Sequence, residues 1–247
     1  MLKDMVKSAV RVVAPPLVRS RPIQAWPAWL GRTLDVKVPA AVIPKNRLSP
    51  EGNANINILI RMIDRTRDLT GDIADCGVFR GGSTVAMGLY LRQQRIPKKI
   101  YGFDSFGGFP EAANADLHLG GAANDDRHAH GFDQTSVESV QHKIATFALD
   151  NIELIPGFFS DTFPTIADRQ LTFSFVHLDV NLYDSYKCCL EFFFPRLVSH
   201  GIVLFDEYND PPWPGCNKAV DEFLEGRSER LEVCETNNYQ KWFFVKC

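Results

Sequence analysis

"DIADCGVFRGGSTVAMGLYLRQQR" (residues 72–95) opens on a short apolar run, turns through three glycines and continues at helical spacing. Gly77, Gly81 and Gly82 allow the backbone to turn sharply and to approach a ligand with no Cβ in the way. Ser83 and Thr84 stand where a helix cap is expected. The unit is strand, glycine turn, helix.

The same punctuation recurs outward from it. Ile56, Leu59, Ile60 and Ile63 predict a helix over 53–69, and strands are predicted over 98–105, 151–159, 171–180 and 201–208. Helices are predicted over 136–149, 184–197 (disturbed by Pro195) and 217–226, while residues 230–236 and 239–246 flank Asn237-Asn238 as an antiparallel hairpin. Strands alternating with helices require right-handed crossovers into one sheet. The predicted fold is α/β: a doubly wound, seven-stranded, mostly parallel sheet with an antiparallel C-terminal hairpin. Residues 51–247 form this domain, and residues 1–50, rich in proline and carrying Trp26 and Trp29, form an N-terminal extension. The segment 106–135 is longer than an ordinary connection and reads as a cover over a site, with Trp213 nearby.

Composition narrows the partners. With 27 basic and 30 acidic residues and a formal net charge of -3, the 247-residue chain has no global field to draw nucleic acid. Six cysteines without metal or disulfide spacing suit a reducing, cytoplasmic setting. No apolar run reaches the roughly twenty residues of a membrane span. The basic start, with Lys7 and Arg11 interrupting its apolar face and Pro15-Pro16 ending it, fails as a signal peptide and reads as an arm packing on this or a neighbouring subunit, hence a homo-oligomer.

Ligands of doubly wound sheets sit beyond the carboxyl ends of the strands at the point where the strand order reverses. There the glycine turn is followed, roughly twenty residues beyond Gly81, by Asp104, the separation at which an acid meets ribose hydroxyls. NAD and S-adenosylmethionine would both suit. The spacing G-x-x-x-G-G departs from the G-x-G-x-x-G that seats a pyrophosphate, and this and the terminal hairpin lean toward the second. A further acidic edge is read from "FVHLDVNLYDS" (175–185) and "LFDEY" (204–208): Asp179 and Asn181 share a face if the strand continues, His177 lies deeper on it, and Asp206 and Glu207 end the next strand. Oxygen ligands without a cysteine cluster suit Mg²⁺ or a similar hard cation.

Taken together, "DCGVFRGGS", "GFDSFGGFPE", "GFFSDTFP", "HLDVNLYDS" and "FDEYNDPPWPGCNKAVDEF" resemble the macrocin O-methyltransferase family, Mg²⁺-dependent enzymes that methylate hydroxyls with S-adenosylmethionine, over about residues 50–247. The resemblance implies a class I, Rossmann-like methyltransferase fold. It implies that Asp75, Gly77, Gly81 and Ser83 surround the methionine portion of the cofactor, that Asp104, with Ser105 beside it, holds the ribose, and that Gly157, Ser160 and Asp161 lie near the adenine. It also implies Mg²⁺ on Asp179, Asp206 and Glu207. Asn181 stands where the family commonly has an acid, and Glu207 where it usually has Asp.

The expected chemistry is methyl transfer to a hydroxyl of a sugar or another polyhydroxylated small molecule, in natural-product or glycan biosynthesis, with Asp179 as metal ligand and general base. His118, His128, His130 and His142 are rival bases. A nicotinamide-dependent oxidoreductase would use the same turn and Asp104 but has no need of Asp206 and Glu207, and a non-catalytic module would leave the acidic edge merely capping strand ends.

Overall fold

The computed structural model describes residues 50–117, 132–236 and 239–247. The N-terminal arm with Trp26 and Trp29, the histidines at 118, 128 and 130, and the Asn237-Asn238 turn lie outside the described residues.

Seven strands form one sheet in the order β3-β2-β1-β4-β5-β7-β6. They are β1 Asp72–Cys76, β2 Ile100–Asp104, β3 Ile152–Pro156, β4 Phe173–Leu178, β5 Leu197–Phe205, β6 Glu232–Thr236 and β7 Tyr239–Val245. The first five are parallel neighbours, and β7 runs antiparallel between β5 and β6. The order reverses between β1 and β4, which is therefore the switch point.

The central strands read as continuous apolar runs because both sheet faces are covered. On one face lie α1 (Pro50–Thr66) and α2 (Gly82–Gln94), whose Leu59, Ile63, Met87 and Tyr90 pack on Ile73, Phe175, Ile202 and Phe243. The opposite face is filled by aromatic packing of Phe103, Phe163, Tyr186, Phe193, Phe205 and Phe244. It is covered by α5 (Phe159–Thr165), α6 (Tyr183–Phe193), a 3₁₀ turn (Phe194–Arg196) and α7 (Pro214–Leu224). The β4–β5 register slips between Phe173 and Phe175, so these two residues join opposite cores. Two further helices are α3 (Asn114–Leu117), inside the long connection, and α4 (Val137–Thr146), opened by a Ser136/Ser139 capping box.

Three local expectations change. Helix α2 begins on Gly81 in the left-handed region (φ 76) with no side-chain cap, because Thr84 turns inward and donates to Asp75 Oδ2 at 2.6 Å. The third strand stops at Pro156, not 159: Gly157 takes φ 129, and Phe159 begins a short helix that the internal Pro164 disguises in sequence. The alternation Asp179, Asn181 also fails, since β4 ends at Leu178 and Asn181 turns left-handed (φ 59), a conformation Asn tolerates better than most residues.

Candidate active site

A cavity of about 540 Å³ opens at the carboxyl ends of β1, β2, β3 and β4, within the common range of roughly 300–1,000 Å³ for small-molecule sites. Gly77, Asp104, Ser105, Gly157, Ser160 and Asp179 line it. Gly77 makes the floor possible: it takes φ 89, and a Cβ there would sit 1.8 Å from the Asp179 carbonyl oxygen. Its N–H donates to Phe103 O, and the Asp179 N–H donates to Cys76 O, both at 2.9 Å, so the turn is fastened to both neighbouring strands.

Asp104 ends β2. Its two oxygens accept the backbone N–H groups of Phe79 and Phe106, each at 2.7 Å. Burial raises its pKa while these bonds oppose the rise. Each carboxylate oxygen keeps a second lone pair for a ligand hydroxyl. The Gly157 N–H donates to Asp104 O at 2.8 Å, which fixes the β3 turn against the same residue.

The remaining cofactor residues inferred from the sequence lie elsewhere. Asp75 is buried, its oxygens taken by Thr84 Oγ1 at 2.6 Å and His177 Nδ1 at 2.7 Å; it underlies the cavity and does not line it. Gly81 packs toward Val140, and neither Ser83 nor Asp161 is in the lining. Asp161 instead accepts from Ser160 Oγ at 3.2 Å in the first turn of α5. The described ends of the long connection do reach the cavity: Phe109 and Phe132 line it, stacked edge-on with Phe79 and Trp213 at centroid distances of 5.0 to 5.7 Å. His142 is exposed on α4 and is not in the lining.

Asp179, Asp206 and Glu207 follow the ends of β4 and β5. On the α1/α2 face a polar row crosses four strands. His177 Nδ1 meets Asp75 Oδ1 at 2.7 Å, and its Nε2 faces Asp206 Oδ1 at 3.8 Å. Lys241 of β7 closes the row with Nζ 2.8 Å from Asp206 Oδ2 and a second donation to Asp206 O. Glu207, next in sequence to Asp206, reaches Asp179 and meets Tyr186, whose Oη donates to its Oε2.

These neighbours set the charges. Burial opposes ionisation of His177, yet the Asp206 carboxylate 3.8 Å away and the hydrogen bond with Asp75 lift its pKa to about 10. Burial likewise opposes a charged Asp206, but His177 and Lys241 bring it down to about 2. Burial and repulsion from Asp206 push Asp179 up to about 6. Burial, followed by Asp179 and Asp206, pushes Glu207 well above the usual carboxyl range.

Among the described residues, the group at metal-ligand spacing is His177, Asp179 and Asp206, with donor atoms within 4.8 Å of one another. Of the Mg²⁺ set read from the sequence, Asp179 and Asp206 belong to this group and Glu207 does not; Glu207 hydrogen-bonds Asp179 and accepts from Tyr186 and, at 3.4 Å, from the Asn181 N–H, while Asp206 is paired with the Lys241 ammonium. Lys241 and Tyr186 were missed in the sequence. The available signal was a lone lysine inside the apolar run of β7.

The macrocin-O-methyltransferase (TylF) family model matches residues 38–243. The chain belongs to this family. It is 28% identical over 169 residues to the mycinamicin III 3''-O-methyltransferase of Micromonospora griseorubida, covering 67% of this chain and 65% of that protein. It is 32% identical over 159 residues to the 8-demethyl-8-(2,3-dimethoxy-alpha-L-rhamnosyl)-tetracenomycin-C 4'-O-methyltransferase of Streptomyces olivaceus, covering 62% of this chain and 58% of that protein. The alignments thus span less than two thirds of either relative. In fold, the chain is similar to the O-methyltransferase NovP, with a TM-score of 0.67 at 21% identity over 99% of both chains. No helix among the described residues is long and apolar enough to cross a membrane.

Proposed function

We propose that this member of the macrocin O-methyltransferase family transfers a methyl group from S-adenosylmethionine to a hydroxyl of a sugar carried by a small natural product. The observation that carries the reading is that Asp104 and Asp179 line one cavity at the switch point, an acid for a ribose at one strand end and a base at another. The sugar acceptor is suggested by the relative whose name specifies a rhamnosyl group. The six cysteines are all free thiols, in keeping with work in the cytoplasm.

S-adenosylmethionine supplies an electrophilic methyl on a sulfonium. The protein's part is to place the acceptor and move its proton. Asp104, already oriented by two backbone N–H groups, receives the ribose hydroxyls. The glycine at 77 lets the β1 turn lie against the β4 end, which sets Asp179 at the cavity floor. Asp179 accepts the proton of the acceptor hydroxyl, and a carboxylate raised to about 6 remains ionised at neutral pH while being a better base than an exposed one. Phe79, Phe109, Phe132 and Trp213 form an aromatic wall that excludes water and packs on apolar parts of the acceptor. No step is routed through Mg²⁺, because two of the three assigned ligands, Asp206 and Glu207, are engaged by Lys241 and Tyr186.

The test is a transfer assay with methyl-labelled S-adenosylmethionine and a panel of rhamnosyl and other deoxysugar glycosides. Label on a sugar oxygen supports the reading. Label on no glycoside in the panel, together with binding of NAD in place of S-adenosylhomocysteine in calorimetry, would contradict it.

A further inference from the structure

We propose that the Lys241 ammonium serves as a built-in cation at the acidic edge of this sheet, so that the protein holds Asp206 in place without a divalent ion. Lys241 is buried, 7% exposed, on a strand whose neighbouring side chains Phe243 and Phe244 are core. A lysine in such a setting needs an anionic partner to offset its lost hydration. It finds one in Asp206 through two contacts, carboxylate Oδ2 at 2.8 Å and the backbone carbonyl.

The coordination left for a metal is correspondingly poor. Oδ1 of Asp206 faces the His177 ring at 3.8 Å and the Asn55 amide at 3.5 Å, so both carboxylate oxygens look at donors. Glu207 is engaged by Tyr186, by the Asn181 N–H and by Asp179 itself, so the Asp179 and Glu207 carboxyl groups occupy one another. Asn181 removes one more formal charge from the cavity lining. A divalent ion entering among His177, Asp179 and Asp206 would meet the ammonium at short range and a site depleted of free carboxylate oxygen, and like charges at that distance repel strongly in a buried setting.

The inference concerns the same sheet edge as the proposed reaction, but its readout is independent of methyl transfer. Mn²⁺ is the probe, titrated into the full chain and followed by loss of the free-ion electron paramagnetic resonance signal. The wild type is expected to leave that signal unchanged, whereas Lys241→Met, which keeps the stem and removes the charge, is expected to bind Mn²⁺ about tenfold more tightly or better and to gain thermal stability from it. Lys241→Gln, which keeps a donor, is the second variant should the first not fold. Stoichiometric Mn²⁺ binding by the wild type overturns the proposal, as does a folded neutral variant that binds no more Mn²⁺ than the wild type. Should neither variant fold, the wild-type titration alone decides. Calorimetry with S-adenosylhomocysteine is run in parallel, so a failure of the methyl-transfer reading is seen separately.

Discussion

Lys241 on β7 and Asp206 just beyond β5 face each other across an antiparallel pair, ammonium to carboxylate at 2.8 Å, with both side chains largely buried. Removing one partner of a buried pair strands the other charge, at a cost of about 3–5 kcal/mol. Asp206→Asn is expected to lower unfolding stability by about 3 kcal/mol, while Asp206→Asn combined with Lys241→Met costs less than the sum of the single changes. Urea denaturation of the four proteins measures the coupling; strict additivity would show that the two groups do not interact.

Gly77 is expected to be intolerant of substitution. A Cβ would lie 1.8 Å from a backbone oxygen of the neighbouring strand end, and φ 89 strains any L-residue. Gly77→Ala is expected to cost roughly 3 kcal/mol or more, against about 1 kcal/mol for Gly226→Ala, where φ 73 is also positive but no atom lies within 4 Å. Equal losses in thermal unfolding would place the cost in the backbone angle alone.

Asp104 is expected to govern cofactor affinity. Hydrogen bonds to a charged group contribute about 1.5–3 kcal/mol, so Asp104→Asn should weaken S-adenosylhomocysteine binding about ten- to hundredfold in calorimetry. The amide retains one acceptor oxygen for Phe79 or Phe106, which limits the structural damage. Unchanged affinity would move the ribose elsewhere in the cavity.

The frame of the fold was legible because its signals are local. Apolar strands bounded by glycine turns predict β1 through β5, and alternation with helices predicts the parallel order. The hairpin strands were also readable, but the insertion of β7 between β5 and β6 was not, since sequence spacing carries no information about which edge a returning strand joins. The acidic edge was half legible. Asp179 and Asp206 do approach one another, but the partners that take up Asp206 and Glu207, Lys241 from β7 and Tyr186 from α6, come from elements distant in sequence. Asp75 reads as a cofactor residue beside a glycine turn, but pairing with β4 places it opposite His177, which with Thr84 takes both its oxygens. Contacts of that kind depend on strand order and helix packing, which no short motif records.

The pH dependence of methyl transfer by wild type and by Asp179→Asn tests the central assignment most directly. A base must be unprotonated to act, so wild-type turnover on a glycoside acceptor is expected to hold above neutrality and to fall as pH drops through about 6. Asp179→Asn should bind S-adenosylhomocysteine normally, lose about a hundredfold or more in kcat, and show no limb near that pH. Turnover near the wild-type value in Asp179→Asn, with the same acidic limb, would contradict the role given to Asp179.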